Sequence, residues 1–518
     1  MQNEMEEKFE DWSGKEAIVG KHGGIRAASI ACVVEMMENM VFLTYSTNFI
    51  TYFTKSLHYS SVKASNMVTN FTGASFLLTI FGGFVADSFL TRFTAFVLFC
   101  SIELLGLILL TIQAHNPKLQ PEGDKDHWSL QSAILFTGLY AVATGVGGVK
   151  ASLPAHGGDQ LDTRKERLIS GFFNWYFFSI CLGGFLAVTI MVWIEENKGW
   201  SSSFDISTAV LASALFIFAV GFPMYRFKTP TGSPLTRMVN VFVSAARNRN
   251  RLVTDDEEMT QSLVSTDKSI HHNKFKFLNK AKLNNKITAT EVEETRTFLA
   301  LQPIFLSTIV MNCCLAQLST FSVQQGMMMN RRLMHSFEVP VASLHAIALI
   351  SMLSSIAFYE LFGKRIPSSN NSERSSSFVL KRIGAGLALT SVSMVIAAIV
   401  EVKRKHEAVH NNVKISVFWL EIQYVLLSFS DMLTLGGMLE FFYKESTSSM
   451  KSISTALGWC STALGFFLST VLVDVINAVT GWLNGKDVNE SRLELFYMVL
   501  CVLNTLNLFN YIFWAKRY

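Results

Sequence analysis

Apolar and polar positions fall in long blocks along this chain, not in the short amphipathic rhythm of a soluble domain. Crossing a bilayer takes about 20 mostly apolar residues. Twelve stretches reach that length, roughly 28–53, 64–86, 93–113, 130–153, 169–194, 204–225, 298–321, 341–362, 377–400, 415–442, 453–477 and 495–514. Each predicts a helix, because a helix satisfies its own backbone groups where water is absent. The connectors are mostly short. The exception is the polar segment 226–296, with charge runs such as NKFKFLNKAKLNNK. The pattern predicts a cytoplasmic segment (1–25), a six-helix bundle (26–225), a cytoplasmic linker (226–296) and a second six-helix bundle (297–518). The expected fold class is an all-α membrane protein with twelve transmembrane helices in two pseudo-symmetric halves.

Composition supports this. Of 518 residues, 50% are hydrophobic and 16% charged, where a soluble protein carries about 25% charged residues. Residues 1–25 are polar and acid-rich with no cleavage-site pattern, so the first apolar stretch is expected to stay as an anchor. With the N-terminus inside, cytoplasmic segments hold about 30 Lys/Arg and outer loops about 13, which favours that orientation. Much of the excess lies in the long linker, which counts less toward the rule. The seven cysteines all sit in apolar stretches without metal spacing and are expected to be small buried hydrophobes. An integral membrane protein follows, with the plasma membrane expected and an endomembrane such as the vacuolar membrane as the alternative.

The candidate chemistry is a set of ionisable residues inside apolar helices, where charges persist mainly along a pathway or relay. Glu35 and Glu38 lie in CVVEMMENMVFLTY, about 13 Å beyond Arg26 along a helix. At i and i+3 they share one face, and two carboxylates that close are expected to share a proton. Lys150 ends the glycine-rich run GLYAVATGVGGVK, whose Gly145, Gly147 and Gly148 let a neighbouring helix approach. Asp431 sits in the tenth stretch, YVLLSFSDMLTLGG. A buried acid needs a partner, and Lys150 is the candidate, which would make the pair a latch between the halves. Glu440 is expected to be structural or interfacial. Gln317, with Thr320, Gln324 and Gln325, is expected to line a cavity.

Other polar positions are expected to be structural. Glu103 and Asp474 are acids in apolar surroundings, read as hydrogen-bonded to neighbouring helices. Most of the run Phe172, Phe173, Trp175, Tyr176, Phe177 and Phe178 is expected to pack or face lipid, with one or two lining a pocket. His156 and Asp159 are placed in a loop with no nucleophile, so enzyme chemistry is not expected. The basic linker has no nucleic-acid module and is expected to be a solvated loop within reach of anionic lipid heads. Asn489-Glu490-Ser491 is a glycosylation sequon in an outer loop.

GGFVADSFLTRF, Gly82 to Phe93, places an Asp and an Arg on a tight cytoplasmic turn that can hold a conformational state. Its spacing resembles the signature loop of the major facilitator superfamily, with Thr91 where a glycine usually precedes the arginine. The two six-helix halves resemble that fold, in which a midplane site is exposed alternately to each side. From about Gly23 onward the chain is similar to the plant nitrate and peptide transporter family, the proton-dependent oligopeptide transporter branch. GVGGVKASLPAHGGDQLD, FFNWYFFSICLGG, KFKFLNKAKL, QLSTFSVQQGMMMNRRL and LEFFYKES carry the likeness. IEENKGW, AHGGDQLD and SFEVPVASL resemble the subgroup with abscisic acid and gibberellin carriers.

The resemblance implies that Glu35 and Glu38, with Lys150, bind the coupling proton, and that no cofactor is used. The family's motif continues with Arg or Lys, where this chain has Asn39. Its acid in the tenth helix, usually Glu, is Asp431. Leu315 occupies the place of a histidine found in some nitrate carriers, and Thr447 that of a usual proline. The expected function is alternating-access transport, proton-coupled, of a small organic anion such as abscisic acid or gibberellin. A nitrate carrier and a transport-deficient sensor of the same fold are the alternatives. The expected partners are the anionic substrate and membrane lipid, not nucleic acid, with the oligomeric state open.

Overall fold

The structure is a computed structural model. It describes residues 9–517 except 19, 60, 122–128, 163–164, 231, 233, 249–274, 284–286, 335–336, 340, 363–371, 448, 484–488 and 490. The twelve apolar stretches form α1 (Gly24–Thr51), α2 (Ser61–Ser88), α3 (Arg92–His115), α4 (Leu130–Asp159), α5 (Glu166–Leu186), α6 (Trp200–Val220), α7 (Ala289–Ser319), α8 (His345–Phe362), α9 (Ser372–His410), α10 (Glu421–Glu445), α11 (Lys451–Thr480) and α12 (Leu493–Arg517). Eleven helices of the described residues are long and apolar enough to cross a membrane. The twelfth, α8, has a shorter apolar run, His345–Phe358.

The helices outrun the apolar stretches because polar ends continue the spiral beyond the membrane. Helix α9 has 39 residues, about 58 Å of rise. Its C-terminal extension is held by a buried network. Arg404 binds Glu401 through Nε and Nη2 at 2.7 and 2.8 Å, and Gln325 Nε2 donates to Glu401 Oε2 at 2.6 Å. Single turns of π-helix extend α1 (Tyr52–Ser56) and α5 (Ala187–Met191).

Caps fix the starts. Thr91 Oγ1 accepts the Thr94 N–H at 3.2 Å, so the residue that replaces the usual glycine caps α3. Thr288 and Glu291 form a capping box on α7. The described residues of the linker hold regular structure of their own. Its helix Pro234–Arg247 packs on Lys276–Leu283, and Arg237 reaches Glu294 of α7 at 3.3 Å. The chain is also not purely helical. A small antiparallel ribbon, β1 (Arg332–Met334) and β2 (Phe337–Glu338), lies between α7 and α8.

Within the first half, α3 and α2 pack along α4, and α1 along α5. In the second, α9 packs on α10 and α12, and α7 on α11. The halves meet where α2 runs along α11 and α5 along α8 and α10. Glycine sets the α2–α4 distance. A Cβ on Gly82 would lie 2.5 Å from the Gly148 Cα, so neither helix could stay at this separation with a side chain there. That close approach brings the end of α4, with Lys150, into the centre of the bundle.

Candidate functional site

Glu35, Glu38, Asn39 and Lys150 come together as a fully enclosed cluster between α1 and α4, each at most 2% exposed. Lys150 Nζ lies 2.9 Å from Glu38 Oε2, 3.1 Å from Asn39 Oδ1 and 3.4 Å from Glu35 Oε1. Asn39 fills the position of the missing cation with a neutral bridge. Its Oδ1 accepts from Lys150 while its Nδ2 donates to the Ile180 carbonyl of α5 at 2.8 Å. Tyr176, also on α5, donates its hydroxyl to Glu35 Oε2 at 2.5 Å. Sequence reasoning had left Tyr176 undistinguished within an aromatic run.

Two aromatic rings close over the lysine. Phe42 of α1 is 5.3 Å from Nζ, and Trp459 of α11 is 4.9 Å away. Trp459 belongs to the second half and stacks on Phe76 of the first, with ring centroids 5.6 Å apart and planes 4° from parallel. The lysine thus senses both halves, through acids on one side and a π face on the other. Glu38 Oε1 has no hydrogen-bond partner among the described residues.

The expected latch between Lys150 and Asp431 is not formed. Lys150 is taken up by acids of its own half. Asp431 is half-buried on α10 near Cys181 of α5, with no hydrogen bond or ion pair among the described residues. Polar contacts between the halves lie toward the start of α5 and the end of α10. Arg382 Nη1 of α9 donates to Asn174 Oδ1 of α5 at 3.0 Å. Glu440 accepts from Ser170 of α5, from Lys444 at 2.8 Å, and faces Arg382 at 3.7 Å. Glu440 is interfacial, as expected of it.

A second junction is built on the Asp-Arg turn. Arg92 binds Asp87 at 3.1 Å, Asp159, and Ser452 Oγ of α11 at 2.9 Å. Asp87 accepts the Ile453 N–H at 2.9 Å. Tyr443 donates to Asp159 at 3.0 Å, and Lys451 stands 3.8 Å from the same carboxylate. His156 and Asp159 are therefore in the last turn of α4, not in a loop, and Asp159 is part of the junction. These bonds tie the start of α11 to the α2–α3 turn and the end of α4.

Gln317 does not face an open cavity in this conformation. It is buried, and its Nε2 bonds Ser469 of α11 at 2.9 Å. Thr320 and Gln324 are exposed, whereas Gln325 is buried and joins Glu401. Leu315 is half-buried among apolar residues of the second half. The Thr447 carbonyl accepts the Met450 N–H at 3.0 Å, forming the turn that a proline would otherwise stiffen. Glu103 and Asp474 do not make the expected hydrogen bonds among the described residues: Glu103 is buried with neither carboxyl oxygen partnered there, and Asp474 is exposed on α11.

A family model described as PTR2, the POT family, matches residues 93–488. Protein NRT1/PTR family 4.1 of Arabidopsis thaliana is 79% identical over the full length of both chains, and family 4.2 of the same plant 69%. Among solved structures, the POT family transporter PepTSo aligns with a TM-score of 0.64 at 18% identity, covering 94% of this chain and 98% of its own. A POT family transporter in complex with 5-aminolevulinic acid aligns at 0.60 and 14% identity, covering 94% and 96%. These two likenesses show the fold, which is that of the major facilitator transporters. The family model and the end-to-end plant relatives show more: this chain belongs to the POT family, the NRT1/PTR transporters of plants, whose members are proton-coupled carriers that use no cofactor and are not enzymes.

Proposed function

We propose that this protein moves a small organic anion, of the abscisic acid or gibberellin kind, across the plasma membrane by alternating access. The observation that carries the reading is the fully buried Lys150, bound by Glu35, Glu38 and Asn39 and covered by Trp459 of the other half. A lysine so placed exchanges partners. When a proton neutralises Glu38, the ammonium loses the nearer of its two carboxylate partners and is free to take a substrate carboxylate in its place. Phe42, Phe76 and Trp459 supply apolar walls suited to a carboxylate on a bulky apolar body, and Leu315 supplies no donor of the kind a compact inorganic anion needs. Asp431 and Gln317 serve gating in this reading. Asp431 is a partner for Lys150 in another conformation, and Gln317 is a strut that holds α7 to α11 in this one. The likeness to the subgroup of hormone carriers supports the substrate class.

Uptake of labelled abscisic acid, gibberellin and nitrate in oocytes, at acid and neutral external pH, tests this. Hormone uptake that is stronger at acid pH and lost in Lys150→Ala is the expected result. Uptake of nitrate alone would replace the substrate class. Binding of a hormone without uptake would favour a sensor, a reading kept open by Asn39 and Thr447. Wild-type uptake by Lys150→Ala would remove the role given to the lysine.

A further inference from the structure

The linker helix Pro234–Arg247 has one apolar side turned to protein and a second left exposed. Pro234, Met238, Val241 and Ala245 are buried. Val241 and Ala245 share a small core with Leu278 and Ala281 of the Lys276–Leu283 segment and with Val292 of α7, and Leu299 of α7 packs on its edge. Arg237 reaches Glu294 from the same side. These contacts already account for how the helix is held.

The free surface is itself divided. Leu235, Val239, Phe242, Val243 and Ala246 fall within about 100° of arc on the helix. Val239, Phe242 and Val243 are 57%, 37% and 42% exposed. Thr236, Asn240 and Arg247 occupy the next arc and are exposed as well. A lone exposed apolar side chain needs no explanation, but a stripe of them beside a polar stripe does.

The height of the helix names the partner. Val292 and Leu299 span about 10 Å of the α7 axis and bracket residue 298, where its apolar stretch begins. The linker helix therefore lies level with the border between lipid and water. A helix there whose free surface is half apolar and half polar matches both media at once.

We infer that the bilayer is the partner of this stripe. Leu235, Val239, Phe242 and Val243 insert among the acyl chains at the headgroup border, on the membrane face where α7 begins. Thr236, Asn240 and Arg247 turn to headgroups and water. The contact is made by apolar side chains and needs no anionic lipid, unlike that of a basic loop held at the surface by charge.

Nitroxide labels on Val239→Cys, Val243→Cys and Asn240→Cys of the full-length protein test this in nanodiscs of phosphatidylcholine, which carries no net charge. Power saturation compares access by oxygen, which concentrates in lipid, with access by a nickel chelate, which stays in water. The seven native cysteines are buried or half-buried, and the signal of the parent protein treated with the same label is subtracted. The ratio of oxygen to nickel access is expected to be several-fold higher at Val239→Cys and Val243→Cys than at Asn240→Cys. Leu235→Cys supplies a further position on the stripe should either valine variant fail to fold. Equal ratios at the three positions, or nickel favoured at Val243→Cys, would overturn the inference. A label on the stripe that is shielded from both reagents would show that protein covers it, another part of the chain or a second copy, and would overturn it as well.

Discussion

Asp87 of the first half caps a helix of the second: its Oδ2 accepts the backbone N–H of Ile453, the third residue of α11, at 2.9 Å. A carboxylate at a helix N-terminus satisfies a donor that has no partner within the helix and meets the positive end of the helix dipole. Because the cap crosses between halves, it exists only while the end of α2 and the start of α11 stay together. Asp87→Ala is therefore expected to weaken this state by about 1–2 kcal/mol, roughly 5- to 30-fold in the ratio of closed to open forms. Spin-label distances between the C-terminal end of α2 and the N-terminal end of α11 should lengthen. An unchanged distance distribution would show that the cap does not hold the gate. Arg92→Lys is expected to act the same way, since a point charge cannot reach Asp87, Asp159 and Ser452 together.

Gly82→Ala tests the closeness of α2 and α4. The added Cβ meets backbone, the Gly148 Cα at 2.5 Å and the Gly147 carbonyl oxygen at 3.0 Å, which cannot rotate away as a side chain would. Overpacking of this kind costs about 1–3 kcal/mol. The expected result is a lower melting temperature together with reduced uptake, because α4 carries Lys150. Thermal unfolding followed by size-exclusion fluorescence reads the first effect and oocyte uptake the second.

Asn489 is tied to the fold whether or not it carries a sugar. Its Oδ1 accepts from Arg404 Nη1 at 2.7 Å, and Arg404 is 2% exposed. Asn489→Ala leaves that buried N–H without an acceptor, at a cost of about 1–3 kcal/mol. Asn489→Asp keeps an acceptor and is expected to cost less. Melting curves of both variants after glycosidase treatment separate this effect from loss of a glycan. Equal melting of Asn489→Ala and wild type would show that the bond contributes nothing.

The helices were legible because lipid imposes a length and an apolar composition that no other element meets. Their true ends were less so. The last turn of α4 carries His156 and Asp159 past the apolar run, and polarity alone read it as a loop. The acids and the lysine of the site stood out for the same reason, as charges where charges are costly. Their pairing did not. The nearest counter-charges of Lys150 lie 112 and 115 residues away on α1, and Asp431 looked equally suitable until geometry placed it elsewhere. Tyr176 and the Ile180 carbonyl gave no signal, since one is a ring among rings and the other a backbone group. The lack of partners around Glu103 is likewise a property of packing, and its sequence neighbours suggest the opposite.

Asn39 stands where the motif that this chain resembles is expected to carry Arg or Lys. The amide bridges Lys150 and the Ile180 carbonyl without adding charge, so the two glutamates share one ammonium where the family pattern provides a second cation. A cation beside a carboxylate favours its ionised form and so its readiness to release a proton. Without it, the cluster holds one positive charge fewer than the family pattern, and coupling to the gradient is expected to be weaker. Asn39→Arg and Asn39→Lys restore the family's charge. Both are expected to increase the stimulation of uptake by an inward proton gradient severalfold, measured as the ratio of labelled abscisic acid uptake at acid to neutral external pH. Asn39→Leu removes the bridge without supplying a charge and separates the two effects: it should impair uptake at both pH values without raising the ratio. A ratio unchanged in Asn39→Arg and Asn39→Lys, in protein that reaches the membrane, would mean that the amide already does what the family's cation does.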